Sequence, residues 1–410
     1  LTGGNLQCTI SLLAEQTKGL KLMVPKITAD MDTVKKMNMG HVLNELMDKG
    51  PLSRAELSRT LHISRSASSS LVDELLQQEL VIELEKGSSA VGRKPILIDV
   101  NYQAGKAIGV KIGKDTLSCA LVGLTGELER KMSVEYNSSM SAQSCIDTIT
   151  DVVGELQKST EFPILGLGVG MSGRIDYQRG IFIESSIVPW KHIELASRLE
   201  RSCGIPVYLE NDVNTFALGQ NFFGLGKRYT NYACISIGQG IGTGLIMENQ
   251  LFKGSHHAAG EFGHTKISTA DDAHLCSCGN RGCLESYAAT PALLEQAAII
   301  NGSPLSMDAM IEMGNRGNSQ IQALFARAGY YIGIALSNLL NLFDPEIVLI
   351  GGEGAKYAHF MIKAIRESVS ERTVYGLGNE IPIEVIEYES DLWVRGVAAM
   401  VLMERMGIAF

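Results

Sequence analysis

The 410-residue sequence predicts an α/β protein built from two related halves and led by a winged helix-turn-helix. Three observations carry this expectation. Between residues 34 and 100, apolar positions recur at helical spacing three times and then at strand spacing twice. From 107 to 124, and again from 232 to 247, an apolar run reaches a glycine and then turns back on itself. Between 260 and 285, three cysteines and a histidine crowd into one glycine-punctuated stretch.

Residues 1–33 show no clean periodicity, are broken by Gly3-Gly4 and Pro25, and read as an extension. From there Met39, Val42, Leu43, Leu46 and Met47 mark one face of a helix that Lys49-Gly50-Pro51 stops. Ser53 caps a second helix, with Glu56 completing a capping box and Ala55, Leu57 and Leu61 as its apolar positions. Ser64 caps a third, which runs through Leu71, Val72, Leu75 and Leu76. Residues 81–85 alternate as a strand, a Gly/Ser loop ends in Gly92-Arg93-Lys94-Pro95, and residues 96–100 return as a second strand.

That order, over residues 34–100, places Arg65, Ser66, Ser68 and Ser69 of the third helix to meet base edges and phosphates in a major groove. Arg93 and Lys94 on the wing suit phosphates or a minor groove. The same elements also suit a dimerisation or protein-binding module. Charge does not arbitrate, because nine Lys/Arg balance nine Asp/Glu in residues 34–100 and the net −9 lies beyond them. DNA binding therefore rests on local placement and not on bulk attraction.

Residues 101–225 and 226–410 read as the two α/β units. Residues 107–113 form a buried strand reaching Gly113, followed by 117–124 and a Thr125-Gly126 turn; residues 232–238 and 244–247 repeat this, with a Glu248-Asn249 turn. Further strands at 164–169 and 346–350 complete mixed sheets covered by helices, with a cleft between the halves and the C-terminal helix packed back on the first. The glycine-rich turn 238–244 offers free amides to a phosphate or a sugar, and a second such turn, 351–354, follows a buried strand where a nucleotide base or ribose can rest. Asp212 follows the strand 206–209, where it suits either a base taking a proton from a sugar hydroxyl or a helix N-cap.

His264, Cys276, Cys278 and Cys283 satisfy a closed tetrahedral Zn2+ site, and Gly279 and Gly282 allow the backbone to bring the sulfurs together. Four protein ligands leave no position for water, so the metal is expected to be structural, with Glu261 and Glu285 held beside it. The eight cysteines, with no secretory leader and no apolar run of membrane-spanning length, point to a reducing cytoplasm, to thiols in place of disulfides, and to no membrane insertion.

The runs 260–264 and 276–285 resemble the ROK family, named for repressors, open reading frames and kinases, and the resemblance spans about residues 34–410. It implies an actin-like, hexokinase-like (ribonuclease H-like) pair of α/β domains with a structural zinc. It also implies that Gly173, Asn211, Asp212, Glu261, His264 and Glu285 contact a sugar, although Ser172 stands where the family reads proline. The family's kinases open with Asp-x-Gly-x-Thr, whose aspartate helps to hold Mg2+ against ATP. Here the run is Lys111-Ile112-Gly113-Lys114-Asp115, so a cation replaces a metal-bearing carboxylate and little kinase activity is expected.

The reading that follows is a sugar-responsive repressor of carbohydrate metabolism or transport genes. It binds operator DNA as a homodimer or homotetramer and answers to a small sugar or sugar phosphate. The alternative is an ATP-dependent hexose or N-acetylhexosamine kinase with an added DNA-binding domain, in which Asp212 is the base. A third reading makes a sugar-transport protein the signal.

Overall fold

The computed structural model describes residues 31–84, 95–185 and 187–406, so the extension before residue 31 and the wing tip carrying Arg93 and Lys94 lie outside the described residues. The first helix, Met31–Lys49, buries Met39, Val42, Leu43 and Leu46, and Gly50 ends it at φ 77°. Strand β1 (Leu52–Ser53) feeds the helix Arg54–Thr60. The expected capping box is present: the Ser53 side chain accepts from the Glu56 backbone, and the Ser53 N–H donates to Glu56 Oε2 at 2.8 Å.

Hydrogen bonds from the Ser53 hydroxyl and then its backbone N–H hold the Glu56 carboxyl below the usual carboxylate range. The cap is therefore complete at neutral pH and is lost as pH falls through that lowered value. Ser53→Ala is expected to cost about 1 kcal/mol, read as faster hydrogen exchange across Arg54–Thr60.

Ser64 caps the third helix, Arg65–Gln77. Strands β2 (Val81–Leu84) and β3 (Leu97–Val100) pair antiparallel as expected, but β1 adds to the free edge of β3, giving a three-stranded sheet in the order β1-β3-β2. Two residues are too few for alternation to reveal β1 in the sequence.

The first α/β unit opens with an antiparallel meander of β4 (Lys106–Ile112), β5 (Thr116–Val122) and β6 (Leu128–Glu135). Strand β7 (Ile164–Met171) lies parallel to β4. A small sheet of β8 (Arg174–Asp176), β9 (Ile181–Glu184) and β10 (Lys191–Ile193) follows, and β11 (Val207–Asn211) then joins parallel to β7, for an order of β11-β7-β4-β5-β6.

The second unit repeats the plan: β12 (Tyr232–Ile237), β13 (Ile241–Met247) and β14 (Gln250–Leu251) form a meander, and β15 (Ile347–Gly351) and β16 (Ile383–Val385) add in parallel. Its order, β14-β13-β12-β15-β16, matches the first in topology and sense, so the echo in the sequence is a duplicated fold. Glu248 and Asn249, both at positive φ, make the tight two-residue turn between β13 and β14.

Helix Asp212–Phe223 connects the two sheets, and helix Ser390–Met406 returns from the second unit to pack on it and on β4 and β7. Glycines allow that approach: a Cβ on Gly168 would stand 2.5 Å from the Val397 carbonyl oxygen, and one on Gly396 would overlap the Thr215 carbonyl. The 25-residue helix Ser319–Phe343 is long and apolar enough to cross a bilayer, a length the sequence reading did not credit. Eleven of its residues, from Ile321 to Leu340, are buried against the second sheet's core, so here it serves as a core helix.

The winged domain is not a separate bead. Its buried Val42, Leu46, Leu75 and Val100 belong to one apolar cluster with Ala107, Val122, Phe222, Val394 and Leu402.

Candidate functional site

A cleft of about 2060 Å3 opens between the two sheets, larger than the roughly 300–1,000 Å3 of an ordinary small-molecule pocket. Gly173, Asn211, Asp212, Glu261, His264 and Glu285, scattered over 113 positions of sequence, all line it. Asn211 is the N-cap of the connecting helix. Its Oδ1 accepts from the Val213 N–H at 2.9 Å, and its Nδ2 donates to the Gly173 carbonyl at 3.1 Å.

The alternative open for Asp212 is thereby decided locally. Asn211 caps, and Asp212 stands one residue inside the helix with its carboxylate on the cleft, at the positive end of the helix dipole. Gly173 has φ 124°, and a Cβ there would lie 2.5 Å from the Glu184 carbonyl oxygen. Glycine is thus required whatever precedes it, and Ser172 leaves the loop intact.

The ligand atoms of His264, Cys276, Cys278 and Cys283 all lie within 4.8 Å of one another. His264 Nδ1 is 3.6 Å from Cys276 Sγ, and Cys278 Sγ is 3.8 Å from Cys283 Sγ. Bonds of about 2.3 Å to sulfur and about 2.0–2.1 Å to nitrogen give tetrahedral edges of about 3.8 and 3.6 Å, so the four side chains fit a zinc-sized ion. Gly279 and Gly282 turn at φ 85° and 76°, as the convergence requires. Burial raises the Cys278 thiol, but hydrogen bonds from the Asn280 backbone and side chain, together with those from Cys276 and Cys283, more than offset it and bring it to about 7.

With Nδ1 turned to the sulfurs, the other nitrogen of His264 faces the cleft, where Nε2 lies 3.7 Å from Glu261 Oε2. Glu285 is held from two sides: Oε1 accepts from the Ser277 hydroxyl at 3.0 Å and Oε2 from the Ile241 N–H at 3.3 Å. Glu261 keeps 52% of its side chain open, yet the surrounding protein desolvates it and raises its carboxyl. His264 lowers it, Glu285 raises it, and Arg174 and Asp212 act in turn. The result is a rim of carboxylates and an imidazole suited to sugar hydroxyls.

Across the cleft, the Lys111 ammonium lies 4.7 Å from the centre of the Trp393 ring. Burial lowers its pKa, and Asp212 and Glu353 raise it. The glycine turn 238–244 has a different reason from the expected one at two positions: a Cβ on Gly242 would meet Val213, and one on Gly244 would meet Ala217 and the Val213 carbonyl. Those two glycines let the hairpin lie against the connecting helix. Gly238, with open space to 3.9 Å, remains available to a ligand.

On the third helix Arg65 and Ser66 are exposed and Ser69 is partly so. Ser68 must be corrected: it is fully buried, and its hydroxyl donates to the Arg54 carbonyl at 2.9 Å, joining two helices and not facing DNA. Arg54, which also pairs with Asp73 and Glu83, explains why a serine run has an inward member.

The sequence reading misses Lys266, whose Nζ stands 2.9 Å from Cys283 Sγ, along with Ser277 and Trp393. Only a Ser flanked by two cysteine ligands carried a signal in the sequence. Lys266 lies two residues after His264 but gives no local sign that it turns to Cys283, and Trp393 reaches the site from the distant C-terminal helix.

Comparison with known proteins places these features. The ROK family model matches residues 107–404, and that of the MarR family matches residues 40–93. A xylose repressor of Bacillus subtilis is 33% identical over 355 residues, covering 86% of this chain and 91% of its own. A glucokinase of Thermotoga maritima is 27% identical and covers 74% of this chain and 98% of its own. A ROK family transcriptional regulator, a homolog of the Escherichia coli MLC protein, superposes with a TM-score of 0.82 at 23% identity, over 92% of this chain and 98% of its own.

Proposed function

The chain belongs to the ROK family, and from that membership we propose that it is a sugar-responsive transcriptional repressor of carbohydrate metabolism or transport genes. The observation that carries this reading is Lys111. An ammonium stands where the family's kinases place a metal-bearing acid, in a cleft lined by all six residues to which the family resemblance gives a sugar contact. Such a site suits binding a sugar and not holding Mg2+ and ATP.

In this reading Asn211, Asp212, Glu261, His264 and Glu285 bind the hydroxyls of the effector, and Gly173 shapes the loop against them. His264, Cys276, Cys278 and Cys283 would hold Zn2+, which, when bound, supplies a rigid four-way tie with no open position for chemistry. The tie fixes the imidazole and the two glutamates at the rim.

Arg65, Ser66 and Ser69 meet operator DNA in the major groove, and Arg93 and Lys94 meet its phosphates. A homodimer sets two such helices on a pseudo-palindrome. Signal passes along the connecting helix. Its first residue, Asp212, faces the sugar, and about 15 Å along the helix Phe222 enters the winged domain's apolar cluster. Just beyond, Lys227 pairs with Asp48 of the first helix at 3.6 Å. Sugar binding shifts the population towards a lobe geometry that re-aims the winged domain and lowers operator affinity.

The test begins with a duplex selected from a random pool by the purified protein, followed by titration with neutral sugars and sugar phosphates. Asp212→Asn is expected to weaken the effective sugar about 10- to 100-fold, as the loss of charge-assisted hydrogen bonds worth ~1.5–3 kcal/mol predicts. Operator affinity without sugar should be unchanged. Failure to retain any duplex, or a full sugar response from Asp212→Asn, would overturn the reading.

A further inference from the structure

Glu210 is the residue before Asn211 in β11, and it is buried at 3% exposure. Its Oε1 accepts from the Asn211 N–H and from Asn214 Nδ2, each at 2.9 Å, so this carboxylate sets the strand end from which Asn211 and Asp212 emerge. Its other oxygen, Oε2, lies 2.8 Å from Lys253 Nζ. Lys253 is not on the same unit. It sits in the segment 252–259, which leaves β14 of the second sheet and runs directly into Gly260 and Glu261.

Three more contacts accompany that ion pair. The Lys253 ammonium lies over the Tyr177 ring at 3.6 Å, the Tyr177 and His257 rings meet edge to face at 5.1 Å, and His257 Nε2 is 3.7 Å from Asp176 Oδ1. Asp176, Tyr177 and Glu210 belong to the first unit, whereas Lys253 and His257 belong to the second. Every contact in the group therefore joins one unit to the other. It joins the strand end carrying Asn211 and Asp212 to the segment carrying Glu261.

We propose that Lys253 is a positioning residue, a clasp that fixes the spacing between the Asn211–Asp212 side and the Glu261 side of the cleft. It does so without touching the ligand. A charge that bridges a buried carboxylate and an aromatic face gives the pair one preferred separation. A site whose two walls are held at the bound spacing loses less freedom on closing over a small ligand. The clasp deepens the sugar-cleft reading and rests on it for its consequence, but the fixed spacing itself does not need a sugar.

The experiment uses the full-length protein with Lys253→Met, which keeps the length over Tyr177 and removes the charge, and Lys253→Arg, which keeps the charge. A Glu210→Gln/Lys253→Met double variant removes both charges and guards against misfolding from a lone buried carboxylate. Hydrogen exchange is measured first without sugar. Lys253→Met is expected to speed exchange about tenfold in two segments on opposite walls, 252–262 and 211–216. The cysteine loop 276–283 should be unchanged and Lys253→Arg should restore protection. The double variant should fold yet keep both walls loose.

Acceleration confined to 252–259, or full protection in the double variant, would overturn the clasp. D-xylose and D-glucose are then titrated. If either binds the wild type, Lys253→Met should weaken it about tenfold and Lys253→Arg should recover most of that loss. Equal binding by wild type and Lys253→Met would also overturn the proposal. If neither sugar binds while the paired exchange effect holds, the clasp stands, and the choice of sugar is what fails.

Discussion

Cys283→Ser, or dialysis of the wild type against a strong chelator, is expected to release one equivalent of zinc per chain and to abolish the sugar response. Operator binding in the absence of sugar should survive. Cys283 is fully buried, lies 3.8 Å from Cys278 Sγ and receives the Lys266 ammonium. It is thus the innermost of the four candidate ligands.

The segment 265–284 around it contains no helix and no named strand. Its backbone is held by the isolated bridges Lys266↔Cys283 and Leu275↔Arg281 and by loop hydrogen bonds such as Ile267 N–H to the Gly282 carbonyl and Cys276 N–H to the Asn280 carbonyl, with turns at Gly279 and Gly282. Structural zinc supplies on the order of 10–16 kcal/mol in small zinc peptides, and a fraction of that suffices to order one loop. Glu261, His264 and Glu285 stand on or beside this loop, so its loosening removes three of the polar groups of the rim together. The winged domain, packed on the first unit, does not depend on it. Metal analysis beside a sugar titration checks the result. An unaltered dose curve in protein shown to be free of metal would refute the link.

The second large effect concerns ATP. With Mg2+, ATP and a sugar panel, ADP release is expected at least about 1,000-fold below the roughly 1–100 s−1 of working kinases. The Lys111 ammonium already lies 4.7 Å from the centre of the Trp393 ring, within the electrostatic influence of Asp212 and Glu353. A divalent ion brought to 4 Å of it would meet a repulsion of roughly 8 kcal/mol at an effective dielectric of 20. It would also lose the hard oxygen ligand that the kinases supply there. Lys111→Asp reverses both terms and is expected to give measurable Mg2+-dependent nucleotide binding. A coupled assay checks the first statement and calorimetry the second. Brisk turnover by the wild type would favour the kinase reading.

Local signals in the sequence were reliable where short-range chemistry decides the structure. Ser53 with Glu56, Ser64 before its helix, Gly50 after another, and the Glu248-Asn249 turn each act within four residues, and each stands where the pattern places it. The duplicated sheets were legible because strands buried on both faces must be apolar throughout. Ser68 was misplaced, since a serine run reads as exposed unless the Arg54 carbonyl that it satisfies is known to lie beside it. Strand β1 was too short to leave a pattern, and the glycines of 238–244 gave no hint that two of them make room for a helix and not for a phosphate.

By itself, the sequence determined the three helices and hairpin of the winged domain, the duplicated architecture, the cysteine-histidine cluster and the replacement of an acid by Lys111. These follow from spacing, periodicity and residue chemistry, which the chain carries locally. Tertiary structure alone decided that Asn211, Asp212 and Glu261 line one cleft, that Lys253 of the second unit reaches Glu210 of the first, and that the winged domain shares a core with the first unit. Those outcomes depend on which surfaces meet after folding. Contacts between residues tens to hundreds of positions apart are set by the packing of whole sheets and helices, and no local pattern encodes them.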